Sequence, residues 1–341
     1  MNKNKIKKRL PELWQLEQII SHTKHPLVVN TEANIDLAGH QLPLYSIEMT
    51  PYRPGLPTVI ISAGVHGIER IGTQVLLSYL EMLLSRMSWD VVVAKQLEAM
   101  NLVFLPIVNP GGMYLNTRAN PNGVDLMRNS PMEAESEALL FGGGQRISPH
   151  LPWYCGKVEE QMELENQKLV EVVERYSDQS PFTLTLDCHS GFGFHDYLWF
   201  PYAYRKRPIA VLDKIYALKL LLDRTYSHHH YIFEPQSLSY ITHGDLWDYI
   251  YKRHKNSHES MMIPLTLEMG SWNWIKKRPT QLFSRSGLFN PMVPHRLQRV
   301  LRRHIMLFDF LCSAAIGYKS WMPKKKQQVQ TFQAAKQFWY R

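Results

Sequence analysis

The sequence is poor in cysteine, has no long apolar run and carries no Gly/Ser-rich linker, and each shortage removes a class of protein. Three cysteines, Cys155, Cys188 and Cys312, are widely spaced in 341 residues and form no Cys-x-x-Cys pair. No disulfide framework is expected, and free buried thiols fit a reducing compartment. The longest nearly apolar stretch, Leu307 to Tyr318, runs 12 residues and contains Asp309 and Ser313. A bilayer span needs roughly 18–20, so none is expected. The basic start (Lys3, Lys5, Lys7, Lys8, Arg9) leads into Pro11, Glu12, Gln15, Glu17 and Gln18. It does not lead into the apolar core and small-residue cleavage site of an export signal. A cytoplasmic location is the expectation.

With 45% hydrophobic and 20% charged residues, the chain has enough apolar side chains to bury a core, and general disorder is excluded. The net charge of +9 is unevenly spread. Residues 1–10 carry +5 and residues 290–341 carry +9, which leaves −5 on the body between them. Basic ends of this kind are ordinarily solvated, so the high pI is a weak pointer to nucleic acid.

No internal repeat appears. Short β-branched apolar runs at Pro57–Val65, Leu102–Val108, Phe182–Leu186 and Ile263–Leu267 read as strands buried on both faces. Helical spacing of apolar residues marks Gln74–Leu84, Glu159–Tyr176, Ile209–Leu222 and His295–Ile316. The alternation predicts one α/β domain, with a mostly parallel or mixed central sheet and helices on both faces. Long connections are expected at 109–156 and 223–243. A ragged basic tail is expected from about Met322, which gives a catalytic domain over 1–321 and a tail over 322–341.

Polar residues cluster where the expected strands end. His66-Gly67-Ile68-Glu69 follows the first strong strand, and His189 emerges from Thr183–Cys188 just before a glycine turn. In open α/β sheets ligands collect at strand ends, and two histidines with a carboxylate suit a catalytic zinc that keeps one position for water. Arg118 and Arg128 lie on a Gly/Pro/Asn-rich loop and offer planar donors for a carboxylate or an oxyanion. Glu268 ends the Leu265–Gly270 segment; beside a water of lowered pKa such a carboxylate can act as general base.

In their order, His66-x-x-Glu69, Arg118-x-Asn120, Gly-Val-Asp125-Leu-Met127-Arg128-Asn129, His189 and Thr-Leu-Glu268 resemble the zinc metallocarboxypeptidases of carboxypeptidase A type. That family also includes the cytosolic carboxypeptidases and, more distantly, the succinylglutamate desuccinylase/aspartoacylase amidohydrolases. The resemblance spans roughly residues 57–270 and implies a carboxypeptidase-like fold holding one zinc ion per chain. It implies that His66, Glu69 and His189 bind the metal, that Glu268 activates water, and that Arg118 polarises the scissile carbonyl. It further implies that Arg128, with Asn129 beside it, docks the substrate carboxylate, and that Asp125 orients His66. Tyr240 resembles the mobile tyrosine that closes over substrate, and Trp247 aligns with the position that tunes side-chain preference. Met127 departs from the family, which usually places Asn there to share the carboxylate with the arginine.

The resulting expectation is a zinc-dependent hydrolase that removes the C-terminal residue of a peptide. An alternative is cleavage of an N-acyl amino acid, which Met127 keeps open. A reading from another class is binding of nucleic acid or an anionic surface through the C-terminal region, where Phe332, Phe338, Trp339 and Tyr340 interleave with Lys336 and Arg341. His228-His229-His230 is not expected to bind metal. Glu159, Glu160, Glu163 and Glu165 are expected on a solvated helix face, and Cys188 in the interior.

Overall fold

The computed structural model describes residues 3–139, 142–158, 160–257 and 260–340. Eight strands form one mixed sheet: β1 (Val28–Leu37), β2 (His40–Glu48), β3 (Thr58–Ala63), β4 (Asn101–Leu105), β5 (Phe182–Ser190), β6 (Asp196–Phe200), β7 (Tyr231–Pro235) and β8 (Met261–Met269). Their spatial order is β1-β2-β4-β3-β5-β8-β6-β7. The centre, β4-β3-β5-β8, is parallel, whereas β1/β2, β2/β4 and β6/β8 are antiparallel. The four expected strands are therefore the four at the centre.

Both faces of the sheet are buried, and alternate residues serve different cores, as the two-residue repeat of a strand requires. Val59, Ile61 and Phe104 join a core with Ile71, Val75, Leu307 and Phe308 from the helices Arg70–Met87 and Pro294–Ile316. Ile60, Val103 and Leu105 join another with Leu169, Val173, Leu246 and Ile250 from the helices Leu164–Ser177 and Leu246–Ser257. Helices thus cover both faces, as expected.

Some expectations need correction. The helix expected from Glu159 begins only at Leu164, and Glu159 itself lies outside the described residues. Glu165 is buried and receives Asn120, and Glu163 bonds Asn120 and Asn122. These two carboxylates brace a loop instead of forming a solvated face. The connection 223–243 contains β7, which is parallel to β6. The last residues are not a ragged tail: Gln328–Trp339 is a helix packed on Leu212–Thr225. Its Trp339 is buried, meets the rings of Phe200 (4.9 Å) and Tyr216 (5.5 Å), and donates Nε1–H to the Phe233 carbonyl at 2.7 Å. An aromatic ring so enclosed cannot stack on a base. The three cysteines are buried and unpaired. No helix among the described residues is long and apolar enough to cross a membrane.

Candidate active site

The parallel strands β3, β5 and β8 end together, and the expected ligands sit at those ends. His66 and Glu69 occupy the turn between β3 and the helix Arg70–Met87, while His189 and Glu268 are paired positions on β5 and β8. The turn can exist only with glycine at 67. A Cβ there would lie 2.1 Å from the backbone carbon of Gly112. That close approach lets Gly67 N–H donate to the Arg118 carbonyl at 3.3 Å, which ties the metal turn to the arginine loop. From far along the chain, Asn290 accepts from Ile71 N–H at 2.9 Å and donates to the Ile68 carbonyl at 2.8 Å.

His66 Nδ1 lies 3.1 Å from Glu69 Oε1, His189 Nδ1 lies 3.2 Å from Glu69 Oε2, and the two Nδ1 atoms are 3.2 Å apart. All three side chains are buried, and among the described residues no other His/Cys/Asp/Glu group converges in this way. Each imidazole points its other nitrogen at a buried carboxylate. His66 Nε2 is 2.9 Å from Asp125 Oδ1, and His189 Nε2 is 2.6 Å from Asp187 Oδ2. Such carboxylates orient metal-binding histidines and raise their basicity. Two histidines and one carboxylate are a donor set of the type that holds a catalytic zinc, so these residues fit the ion.

The carboxylates are themselves held ionised. Burial works to raise Asp125, but Arg118 and His66 outweigh it and keep the group well below its ordinary range. Asp187 is likewise lowered against burial, by His189, Trp247 and Ser62. Glu268 goes the other way: burial, then the charge of Glu69, push its carboxyl up to about 8. Its Oε1 accepts from Phe192 N–H at 3.0 Å. A carboxyl raised toward neutrality in a cleft has the character of a proton-transfer group.

A cleft of about 280 Å³ opens over these residues. Arg118 lines it, donating Nε–H to Asp125 at 2.8 Å and Nη1–H to Glu69 at 2.9 Å; Nη2 has no protein partner among the described residues. Arg128 also lines it. Its Nε and Nη2 donate to the Gly142 carbonyl and its Nη1 to that of Met127. Three of its five N–H groups are thereby used, which fixes the guanidinium and leaves two on the side of the cleft. Met127 faces the cleft beside it. Tyr240 does so too, with its ring 5.7 Å from Phe192 and 5.8 Å from Trp199.

Two expected residues are elsewhere. Trp247, 2% exposed, does not line the cleft; its Nε1–H donates to Asp187 Oδ2 at 2.9 Å, so it buttresses the carboxylate behind His189. Asn129 turns away as well. Its amide donates to the Cys155 carbonyl at 3.0 Å and accepts from Glu163 N–H at 2.7 Å. The sequence pattern alone did not single out Asp187, although Asp-x-His on a strand puts both side chains on one face. Nor did it single out Phe192, Trp199, Gln236, Thr266 and Phe289 in the cleft wall. Thr266, two residues before Glu268, carried the same period-2 signal.

A mixed α/β sheet that gathers two histidines, a glutamate and a second glutamate at its parallel strand ends defines a metallohydrolase. Residues 27–273 match the zinc carboxypeptidase family, and the chain belongs to it. A 104-residue segment is 30% identical to mouse carboxypeptidase M, covering 27% of this chain and 24% of that protein. The aligned part is thus about a quarter of that relative's length. The fold is similar to that of thrombin-activatable fibrinolysis inhibitor, with a TM-score of 0.66 and 15% identity over 88% of this chain and 72% of that one. It is also similar to carboxypeptidase A from Helicoverpa armigera, with a TM-score of 0.57 and 15% identity over 86% and 71%. Membership of this family supports a metallopeptidase-type hydrolase, and the His-Glu-His cluster is able to hold the family's zinc.

Proposed function

We propose that the protein removes the C-terminal residue from peptides with a free carboxylate and that it acts in the cytoplasm. The observation that carries this reading is the single cleft in which the His66/Glu69/His189 cluster, Glu268 and two arginines meet. A zinc ion held by those three ligands supplies Lewis acidity and a water of lowered pKa. Glu268 takes a proton from the attacking water at its carboxylate and delivers it to the leaving amine. Arg118, held by Asp125 and Glu69, offers Nη2 to the oxygen on which charge develops. Arg128 presents its two remaining N–H groups to the terminal carboxylate. Tyr240 closes the side of the cleft against Phe192 and Trp199. The three unpaired, buried thiols support the cytoplasmic placement.

Met127 supports a second reading. A thioether in the cleft beside Arg128 gives the carboxylate one donor fewer, which suits a small N-acyl amino acid bound chiefly by its acyl group. The deciding experiment measures amino-acid release from a free-carboxylate peptide, its C-terminal amide and a set of N-acyl amino acids. Release from the free peptide alone supports the carboxypeptidase; release from N-acyl amino acids alone replaces it.

A further inference from the structure

The wall of the cleft formed by β6, β8 and the residues after β7 presents two polar side chains to the cleft that no described residue engages. Gln236, 7% exposed, follows β7 and lines the cleft, and its amide makes no hydrogen bond to any described residue. Thr266, 8% exposed, lies one pleat before Glu268 on β8 and pairs with Trp199 of β6; its hydroxyl also has no partner among the described residues. A ligand that covers these groups without bonding them strips them of water at a cost, whereas one that bonds them avoids it. Two such groups in one cleft wall are what a ligand-recognition surface requires.

The chemistry of that ligand follows from the wall. Beside Gln236 and Thr266 it offers Trp199, with Phe192 and Tyr240 packed against that ring, none of them charged at neutral pH. Glu234, nearest in sequence, does not line the cleft and accepts from Ser239 instead. An ionised side chain placed here would be desolvated, and the charged groups of the cleft, Arg118, Arg128 and Glu268, are already assigned to the reaction and the terminal carboxylate. An aliphatic one would leave the amide unpaired. A second amide satisfies it completely, since each can donate one N–H to the other's carbonyl oxygen, and a threonine hydroxyl can act in either sense. We propose that Gln236, assisted by Thr266, determines specificity and selects a leaving residue with an amide side chain. The inference rests on the carboxypeptidase reading.

Peptides that differ only in their last residue (Gln, Asn, Leu, Phe, Lys or Glu) test it by kcat/KM. The amide-ended peptides should exceed the others by about 10-fold or more. Gln236→Leu should cut the Gln-ended rate about 10- to 100-fold and raise the Leu-ended one. Thr266→Val should lower the Gln:Leu ratio by a smaller factor, and serves if the first variant fails to fold. Tryptophan fluorescence with free L-glutamine and L-leucine gives a readout without turnover. L-glutamine should bind more tightly, and Gln236→Leu should abolish the difference. A wild-type preference for Leu, Phe, Lys or Glu, or a Gln:Leu ratio unmoved in both variants, overturns the specificity. If no peptide is cleaved but L-glutamine still binds through Gln236, the carboxypeptidase reading fails while the recognition stands. Cleavage without amide preference upholds the carboxypeptidase and overturns the recognition.

Discussion

Arg118 and Arg128 are both guanidinium groups in one cleft, but their surroundings set them different tasks. Arg118 neutralises Asp125 and Glu69, the carboxylates beside and within the metal cluster. Arg118→Ala should lower kcat about 10²–10³-fold, the usual loss for an oxyanion donor. Arg128 is instead anchored by main-chain carbonyl groups. Its loss should chiefly raise KM for free-carboxylate peptides and matter little for amidated ones. Steady-state kinetics with both substrate types separate the two. Met127→Asn restores an amide beside Arg128. A hydrogen bond to a charged group contributes roughly 1.5–3 kcal/mol, so kcat/KM on free-carboxylate peptides should rise about 10-fold or more. No gain is expected on amidated peptides, and a loss on every free-carboxylate peptide would favour the N-acyl amino acid reading. The identities of the cluster residues and both arginines were legible in the sequence because each reactive group carries its chemistry with it. The directions of Trp247 and Asn129 were not, because they depend on how a helix or turn is rotated against the sheet.

At the scale of elements, the site is a property of strand ends. β5 contributes two residues on one face: His189 toward the cluster and Asp187 behind it. Asp187 receives His189, Trp247 of the helix Leu246–Ser257, and Ser62 of β3. Asp187→Asn keeps the shape but removes the charge that holds the imidazole, and should lower zinc affinity about 10–100-fold. Competition with a chelator measures this; unchanged affinity would reduce Asp187 to a packing role. The C-terminal helix makes a second case. Its Trp339 fills a pocket between Phe200, Phe233 and Tyr216, so Trp339→Ala should cost roughly 3–5 kcal/mol in urea denaturation. A ragged tail would cost nothing. Central strands were readable as apolar runs buried on both faces. β6 and β7 were not, although β4 is no longer than they are: Asp196 opens one and Glu234-Pro235 closes the other, which breaks the apolar run.

For the whole molecule, the buried histidine far from the cleft makes stability depend on pH. His304, 1% exposed, has Nδ1 3.0 Å from the Tyr231 hydroxyl, and burial lowers its pKa from 6.5 to about 4. The folded chain keeps it neutral, whereas the unfolded chain protonates it below about 6.5. Its contribution is therefore whole above that pH and is lost as pH falls toward 4, by up to about 3 kcal/mol. Thermal melts of wild type and His304→Gln should converge as pH drops from about 7 to about 4. Parallel curves would show that another group governs acid unfolding.

The residues of the candidate site and the central strands that carry them were legible in the sequence alone. His66 and Glu69 stand directly after an apolar run, and His189 and Glu268 lie near the ends of others. Which side chains line the cleft beside them depends on tertiary packing. Gln236, Trp199 and Thr266 come from three segments that become neighbours only when β6 is inserted between β7 and β8. The same holds for the basic C-terminus, whose Trp339 belongs to the core because a complementary pocket exists on the sheet edge. Local sequence specifies the chemistry of a side chain and the period of its element. The direction in which that side chain points is set by packing against residues far away in the chain.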